Sequence, residues 1–289
     1  MLGIDAGASG TRIRLEDRPG AVVVERSGPE LDGRDVASER LDRKLGALLD
    51  GCPRPGMVVA GVAGRSPLRT AVGGWLEQWS GARVTTVPDY VIALHSFAPC
   101  VGIAVLAGTG SVVASRDPVG RVVSTGGLGP VLGDEGSAFR LGRALVARYL
   151  DGVPEAVRFG GAVEHALGVP HSDVVRTVYE SAQPAALLGR VAPVWTAAAD
   201  AGDAWARDLV AGEMAALADV TARHVERWGA PAGADAVAMG LAGGVWRSVT
   251  ARAAFATAVD ARLLDHQVRM VPADRPPVAG ALRLAWGET

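Results

Sequence analysis

Apolar and polar residues alternate over short segments at the start of the chain, a pattern typical of half-buried strands. The segments MLGID, TRIRLE and AVVVER show it, and Asp17–Gly20 form a turn signal between the second segment and the third. Three such strands in succession predict an antiparallel meander.

Helical and strand-like segments then alternate. Leu41, Leu45, Leu48 and Leu49 recur at helical spacing beside charged residues, which predicts an amphipathic helix. The remaining predictions for this part are a strand over Met57–Gly64, a helix over Leu68–Trp79, a strand over Arg83–Asp89 and a short helix through Leu94. The predicted order of elements is βββαβαβα.

A second copy of the meander is predicted to begin near Val101. The segments GIAVLA, SVVAS and RVVST repeat the opening pattern, and internal duplication explains this most simply. The elements predicted after it are a helix over Glu135–Asp151, a long helical region through Val210 and Trp228, the strand AVAMGLAG, a helix over Val245–Val259, the strand QVRMV and a final helix after Pro277. The last helix is expected to fold back onto the first half. The predicted domains are residues 1–97, completed by residues 277–289, and residues 98–276.

Length and charge are typical of a soluble globular protein. The 289 residues favour two domains, and a formal net charge of −2 predicts no general attraction to nucleic acid or to an anionic membrane. The first residues lack the basic flank and apolar core of a signal peptide, and no apolar run reaches the ~20 residues that cross a bilayer. A cytoplasmic protein is therefore expected.

Residue types exclude several kinds of site. Cys52 and Cys100 are too few for a disulfide framework or a four-thiolate metal site. The five histidines do not stand at metal-ligand spacings such as HxxxH. Lys44 is the only lysine, and it lies in LDRKLG, outside any GxxxxGK[ST] sequence, so a P-loop is excluded.

Two glycine-rich turns follow strands at equivalent places in the two copies, Gly7-Ala-Ser-Gly-Thr11 and Gly108-Thr-Gly-Ser111. Because glycine has no Cβ, backbone N–H groups in such turns can approach phosphate oxygens closely. An ordinary hairpin explains either turn alone. Their repetition favours two phosphate-binding turns that hold a nucleotide between the halves, with Asp5 placed to hold Mg²⁺ through water.

The third glycine turn, Gly240-Leu-Ala-Gly-Gly244, joins a strand to a predicted helix. Gly243 and Gly244 would let an adenosine lie flat against the backbone, and the helix dipole would favour a nearby phosphate. On its own, this GxxGG sequence is weak evidence for nucleotide binding.

Three acids complete the candidates. Asp89 follows the strand RVTTVP and is either a helix N-cap, a role worth ~1 kcal/mol, or a general base that takes a proton from an attacking hydroxyl. Its position at the carboxyl end of a strand favours the base. Asp134 and Glu135 stand in a glycine-rich loop, which predicts that one grips sugar hydroxyls and the other caps the helix that begins near Ser137.

In their order, these segments resemble the N-acetylglucosamine kinases and the wider BadF/BadG/BcrA/BcrD ATPase family, in the sugar-kinase branch of the actin-like ATPases. The resemblance rests on GIDAGASGTR, Asp89 after TTVP, AGTGS, GGLGPVLGDEGS, GLAGGVWRS and PPVAGALRLA, and it covers nearly the whole chain. It implies an α/β fold of two duplicated ribonuclease H-like domains, each a mixed sheet flanked by helices, with an interdomain cleft. It also implies ATP and Mg²⁺ as cofactors and phosphoryl transfer to a sugar hydroxyl, at carbon six.

The resemblance assigns roles to individual residues. Asp89 matches the catalytic base, which also contacts the sugar, and Asp5 is the metal residue. The residues assigned to ATP are Gly7, Ser9, Gly10, Thr11, Arg12, Gly108, Thr109, Gly110, Ser111, Gly243 and Gly244. The further residues assigned to the sugar are Asp32, Gly64, Gly127, Asp134 and Glu135.

Two departures from the family pattern concern the sugar. Members usually carry Gly-Pro-Ser-Asn after the third strand, whereas Gly28-Pro29 is followed here by Glu30-Leu31-Asp32. An acid at this place is the basis of a hypothesis that the substrate is glucosamine rather than N-acetylglucosamine. Leu128 stands where the family often has tryptophan.

Two other functions stay open from the sequence. The dehydratase activators of the same family hold an iron–sulfur cluster with closely spaced cysteines, which Cys52 and Cys100 do not provide. A sugar sensor that binds without catalysis usually carries a DNA-binding helix-turn-helix, which this chain lacks before its first strand, although a sensor that acts through a protein partner stays open. The expected partner is a small-molecule sugar, and a homodimer is a further option.

Overall fold

The computed structural model describes residues 1–64, 66–229 and 236–287. The chain divides into two compact units, Met1–Val101 with Ala273–Thr289, and Gly102–Pro272. The first unit ends at Val101 rather than at residue 97, and the second ends at Pro272 rather than at residue 276. The domain assignment made from the sequence stays a prediction.

The first unit is built on a five-stranded mixed sheet. Its strands are β1 (Leu2–Gly7), β2 (Gly10–Arg18), β3 (Ala21–Gly28), β4 (Met57–Val62) and β5 (Arg83–Pro88), in the order β3-β2-β1-β4-β5. β1, β2 and β3 form the predicted antiparallel meander, and β4 runs parallel to both β1 and β5. The central strand β1 buries Leu2, Ile4 and Ala6 completely, whereas the edge strand β3 exposes Val22 and Val23.

The helices between these strands are α1 (Ser38–Leu41), a π-helical turn (Asp42–Gly46), α2 (Ala47–Leu49), α3 (Ser66–Ser80) and α4 (Asp89–Ser96). The predicted amphipathic helix is thus interrupted by a π-turn, although its four leucines are buried as their spacing indicates. Two side chains of the π-turn bond to residues outside it: Asp42 Oδ1 accepts from the indole of Trp75 at 2.6 Å, and Lys44 Nζ donates to Asp35 at 2.7 Å.

The second unit contains a sheet of the same design. Its strands are β6 (Ile103–Ala107), β7 (Ser111–Arg116), β8 (Val122–Gly126), β9 (Val237–Ala242) and β10 (Val268–Pro272), in the order β8-β7-β6-β9-β10. β6, β7 and β8 form an antiparallel meander, and β9 runs parallel to both β6 and β10. The recurrence of one strand order agrees with an internal duplication, and the predicted α/β fold with two mixed sheets is confirmed.

Most helices of the second unit lie between β8 and β9. They are α5 (Ala138–Leu150), α6 (Pro154–Val157), α7 (Gly160–Leu167), a 3₁₀ turn (His171–Asp173), α8 (Val174–Glu180), α9 (Pro184–Gly189), α10 (Ala192–Asp200) and α11 (Ala204–Trp228), and a further 3₁₀ turn (Gly244–Arg247) and α12 (Val249–Asp260) follow β9. The apolar stripe of α11, which includes Val210, Met214 and Leu217, is completely buried. Within the described ranges, no helix is both long enough and apolar enough to span a membrane.

Two helices start later than their predicted ranges. α5 begins at Ala138 rather than at Glu135, in agreement with the prediction of a helix that begins near Ser137, because Asp134 and Gly136 have φ values of 62° and 73°, which a right-handed helix cannot include. The hydroxyl of Ser137 accepts from the N–H of Arg140 at 3.3 Å, so this serine caps α5 and neither acid of the loop does.

The α-helix after β9 also starts later than predicted, because Ser248 is extended and separates the 3₁₀ turn from α12. The first N–H groups of α12 bond to protein side chains: that of Ala251 to Ser248 Oγ and that of Thr250 to Asp200 Oδ1. The first N–H groups of α12 are therefore bonded within the protein, and the expectation that its dipole favours a nearby phosphate stays a prediction.

The last helix, α13 (Pro277–Trp286), packs on α4 and β1 of the first unit, and residues 288–289 of the predicted helix lie outside the described residues. A Cβ at Gly280 would overlap the carbonyl oxygen of Ile92, so glycine permits this close approach to α4. Arg283 donates to the carbonyl of Phe97 at 2.6 Å, just beyond the end of α4. Val59, Ile92, Ala281 and Ala285 form one buried cluster.

His224 on α11 is completely buried in the second unit. Its Nδ1 lies 2.9 Å from Thr125 Oγ1, and its Nε2 lies 2.9 Å from Ser115 Oγ. Burial lowers the pKa of His224 from 6.5 to about 4, because desolvation disfavours the charged ring. The imidazole is therefore neutral in the folded protein at pH 7.

We expect this burial to make the protein sensitive to acid. Between pH 6.5 and pH 4, His224 is protonated in the unfolded chain but still neutral in the folded protein. The free energy of unfolding should therefore drop by about 3 kcal/mol as the pH falls through this range. Denaturant titrations at several pH values measure this slope, and His224→Gln should flatten it. His266→Gln, at an exposed histidine, should keep the full slope, and a slope unchanged in His224→Gln would contradict the assignment.

Candidate functional site

In the first unit, several predicted site residues stand at one edge of the sheet. β1, β4 and β5 run parallel, so their carboxyl ends meet at the same edge, where open α/β sheets usually bind ligands. Asp5 lies near the end of β1, Gly64 stands two residues after β4, and Asp89 directly follows β5. The sheet therefore brings together residues that are far apart in the sequence.

Asp5 and Asp89 are desolvated carboxylates in the same region. The pKa of Asp5 is raised from 3.8 to about 7, chiefly by burial and also by the charge of Asp89, while Arg12 opposes the change. Burial also raises the pKa of Asp89. Two contacts oppose this change: the N–H of Tyr90, which donates to Asp89 Oδ1 at 3.0 Å, and the charge of Arg69. Carboxylates perturbed in this way are typical of catalytic bases and metal-binding groups.

The local structure bears on the two roles considered for Asp89. Pro88 is the N-cap of α4, and Asp89 is the first helical residue, so Asp89 is not an N-cap. Its carboxylate instead lies in the first turn of α4, where the helix dipole favours the ionised form. Its assignment as the catalytic base stays a prediction.

The first glycine turn is a two-residue hairpin in which Gly7 pairs with Gly10 and Ser9 is exposed. A Cβ at Gly10 would lie 3.3 Å from the carbonyl oxygen of Gly28, at the end of β3, so glycine keeps these two segments close. The hydroxyl of Thr11 is buried and has no hydrogen-bond partner among the described residues. A buried, unpartnered hydroxyl fits a ligand oxygen, because leaving such a group unsatisfied is costly.

Asp32 lies in the segment between β3 and α1. Its carboxylate accepts hydrogen bonds from the N–H of Arg34 at 2.8 Å, from Nε at 3.0 Å and from Nη2 at 2.6 Å. An acceptor amine would therefore compete with an existing ion pair for Asp32. The hypothesis that this acid selects glucosamine stays a prediction.

In the second unit, the second glycine turn packs against the acidic loop. A Cβ at Gly110 would lie 2.9 Å from Asp134 Oδ2, so only glycine leaves room for this carboxylate. The N–H of Ser111 donates to Asp134 Oδ1 at 3.3 Å, and the hydroxyl of Ser111 donates to the carbonyl of Glu135 at 2.7 Å. Burial raises the pKa of Asp134, the Ser111 N–H opposes this change, and Glu135 adds to it.

The two acids of this loop differ in their surroundings. Asp134 is buried, has a φ of 62° and bonds to the glycine turn, whereas Glu135 is half-buried. No described residue makes a hydrogen bond or ion pair to the Glu135 carboxylate. Gly127, also assigned to the sugar, donates its N–H to the carbonyl of Ser111 at 3.0 Å. Asp134 thus holds the loop together, and Glu135 remains available to a ligand.

The third glycine turn contains two glycines with different surroundings. Gly243 has φ 116° and ψ 165°, and a Cβ there would overlap the carbonyl group of Ala107, directly before the second turn. At Gly244, a Cβ would meet no atom within 4 Å. The indole of Trp246 donates to the carbonyl of Val105 at 3.0 Å and fixes the segment on β6. Gly243 is therefore needed for packing, whereas Gly244 leaves open space.

The residues present are compatible with ATP and Mg²⁺. Magnesium usually keeps several waters and takes one or two protein carboxylates, with phosphate oxygens as further ligands. No group of three or more His, Cys, Asp or Glu side chains that could hold a metal occurs within residues 1–64, 66–229 and 236–287. Asp5 alone, acting through water, fits this mode of binding. Within the first unit, the unpartnered Thr11 hydroxyl fits a phosphate oxygen, and within the second unit, Gly244 leaves open space.

Sequence reasoning missed two features of the first unit. Arg69 on α3 donates to the carbonyl of Gly64 at 2.5 Å, and its charge acts on Asp89. Lys44 bonds to Asp35, a buried carboxylate in the segment after β3. Lys44 had stood out in the sequence as the only lysine, but no pattern indicated its partner.

Comparison with known proteins identifies the family. A model of the BadF/BadG/BcrA/BcrD ATPase family matches residues 2–285. The chain belongs to this family. A curated relative, the N-acetylmuramic acid/N-acetylglucosamine kinase of Clostridium acetobutylicum, is 25% identical over 199 residues, which cover 63% of this chain and 64% of that relative.

Solved structures show the same fold as this BadF/BadG/BcrA/BcrD ATPase family member. A protein of Porphyromonas gingivalis, provisionally named an N-acetylglucosamine kinase, has a TM-score of 0.74 at 20% identity and covers 98% of this chain and 97% of its own. A ROK family glucokinase from Streptomyces griseus, in complex with glucose and AMPPNP, has a TM-score of 0.62 at 16% identity, with 98% and 96% covered. At these identities the likeness concerns the fold alone.

Proposed function

We propose that the chain is an ATP-dependent kinase that transfers the γ-phosphate to the carbon-six hydroxyl of an amino sugar, N-acetylglucosamine or glucosamine. The observation that carries the proposal is the pair of desolvated carboxylates, Asp5 and Asp89, at the carboxyl edge of the first sheet. The named activity of the curated relative supports the same reaction class.

Bound ATP would supply the phosphoryl group, and Mg²⁺ would neutralise part of the negative charge of the phosphates. Asp89 accepts the proton of the sugar hydroxyl, while that oxygen forms a bond to the γ-phosphorus and the bond to the departing ADP breaks. Asp5 would hold the metal through water. Phosphate contacts are assigned to Gly7–Arg12 and to Gly108–Ser111, and the adenosine contact to Gly244.

Of the residues assigned to the sugar, some would contact its hydroxyls and others would support the loop around it. Glu135 is assigned to the sugar hydroxyls, because its carboxylate is half-buried and is not engaged by the described residues. Asp134 is assigned to the shape of the loop, because it bonds to Ser111. Gly64 and Gly127 are also assigned to the sugar.

A screen for ADP release over hexoses and amino sugars tests this proposal. We expect turnover with amino sugars that exceeds the rate without sugar by at least about 100-fold, because a bound hydroxyl is the intended acceptor. Mass spectrometry and NMR of the product identify the phosphorylated carbon. ATP hydrolysis that no sugar accelerates would contradict a sugar kinase and favour the ATPase activators or a sensor.

A further inference from the structure

The segment that joins β3 to α1, residues 29–37 (the β3–α1 loop), leaves the sheet at the edge that carries Asp5 and Asp89. β2 is antiparallel to both β1 and β3, so β3 ends at the same edge as β1. The close approach between Gly10 and the carbonyl of Gly28 brings the start of the loop against the first phosphate turn. A ligand at this edge would therefore adjoin the loop.

A completely buried carboxylate organises the β3–α1 loop. Asp35 Oδ2 accepts from the backbone N–H of Asp32 at 2.8 Å, and the N–H of Asp35 donates to the carbonyl of Asp32 at 2.9 Å. These two bonds close a tight turn over residues 32–35. Asp35 Oδ1 is also buried and has no hydrogen-bond partner among the described residues.

Lys44 attaches this loop to the π-turn. Its Nζ donates to Asp35 Oδ2 at 2.7 Å and to the carbonyl of Glu30 at 2.7 Å, so one ammonium group holds both ends of the segment 30–35. The side chain of Lys44 is 22% exposed, whereas that of Asp35 is inaccessible to solvent. A buried charge that loses its partner is strongly destabilising, so the conformation of the loop depends on Lys44.

The π-turn itself has a second attachment. Asp42 accepts from the indole of Trp75 on α3, so the turn that carries Lys44 is fixed to the body of the unit. π-turns of this kind are rare within helices and often occur at functional sites. Two hydrogen bonds therefore link α3 to the π-turn and the π-turn to the β3–α1 loop.

We propose that Lys44, through Asp35, is a positioning residue that sets the β3–α1 loop for the sugar acceptor. This inference rests on the proposed kinase activity. Lys44 holds Asp35 and the Glu30 carbonyl, so its effect on the reaction passes through the loop.

Kinetics of Lys44→Met test this role once the screen has identified the acceptor. We expect the KM for the acceptor to rise by about tenfold or more and the KM for ATP to change by less than about twofold. Lys44→Arg, which can still pair with Asp35, should restore most of the acceptor affinity. An acceptor KM that is unchanged in Lys44→Met would overturn the proposal.

Arg26→Met is the matched control. Arg26 on β3 donates to the carbonyls of Leu48 and Asp50. It therefore ties β3 to the end of the helical segment that carries Lys44, without contacting the β3–α1 loop. The control should lose stability and keep the acceptor KM. An equal rise of the acceptor KM in both variants would reduce Lys44 to a general structural role and overturn the proposal.

A measurement on the unmodified protein covers the case in which the Lys44 variants do not fold. Because Lys44 is the only lysine, mild acetylation followed by peptide mass spectrometry reports the reactivity of one side chain. Saturating acceptor should slow acetylation of Lys44 by about fivefold or more, since an ordered loop keeps the amine paired. The amine of Met1, bonded to the carbonyl of Glu16 at 2.6 Å, serves as the internal reference.

The outcomes separate the two proposals. A sugar acceptor with no change in Lys44 acetylation and no change in acceptor KM overturns the positioning role and leaves the kinase intact. The absence of any sugar acceptor in the screen overturns both.

Discussion

Replacing Asp89 by asparagine should lower kcat by about 10²- to 10⁴-fold, because the amide cannot take the proton from the acceptor hydroxyl. The amide oxygen can still accept from the N–H of Tyr90, so the start of α4 should keep its structure. Since burial raises the pKa of Asp89 and thus disfavours its charge, the neutral variant should be at least as stable as the parent.

Steady-state kinetics and ATP titration measure this effect together. The affinity for ATP should change by less than about twofold. In the parent, kcat should rise with pH as the carboxylates of Asp89 and Asp5 form, at a pH above the ordinary aspartate range, and Asp89→Asn should lose the part of this rise that is due to Asp89. Asp50→Asn, at an exposed aspartate of the same unit, should keep both rate and pH profile. Undiminished turnover in Asp89→Asn would remove Asp89 from the catalytic role.

The adjacent variants Gly243→Ala and Gly244→Ala should affect different properties, the first the stability of the fold and the second the affinity for ATP. The backbone conformation of Gly243 is essentially restricted to glycine, and its Cβ would overlap the carbonyl of Ala107. Gly243→Ala should therefore lower the free energy of unfolding by about 3 kcal/mol or more. Gly244→Ala should fold normally, because its Cβ meets open space, and should weaken ATP binding by about tenfold or more if adenosine lies against this residue.

Denaturant unfolding and calorimetric titration with ATP separate the two variants, and each serves as the control for the other. Wild-type stability in Gly243→Ala would contradict the close contact between the third turn and the second. Normal ATP affinity in a folded Gly244→Ala would remove the adenosine assignment.

The antiparallel meanders could be predicted because each copy begins with three alternating segments joined by short turns, and consecutive strands joined in this way usually pair with each other. The edge that carries Asp5 and Asp89 follows from the same reasoning, since both residues stand at strand ends. The start of α5 could not be predicted in this way. Asp134 adopts a positive φ, which is rare for a residue other than glycine, and its bond to Ser111 joins parts of the chain that are distant in sequence.

The different roles of neighbouring residues also could not be predicted from the sequence. Gly243 and Gly244 look equivalent in GLAGGVW, and only the neighbouring carbonyl of Ala107 distinguishes them. Asp134 and Glu135 are adjacent acids, yet one is bonded within the loop and the other is not. The pairing of Lys44 with Asp35 depends on a π-turn, which the regular spacing of the leucines concealed.

The packing of α13 on α4 has a consequence for synthesis on the ribosome. The first unit begins to emerge early, but Ile92 and Val59 are covered by Ala281 and Ala285, which are translated only after the entire second unit. The second unit is continuous in sequence and can complete its core before the first. The nascent first unit therefore keeps an apolar surface open until α13 has been translated, and this surface is where a chaperone would bind.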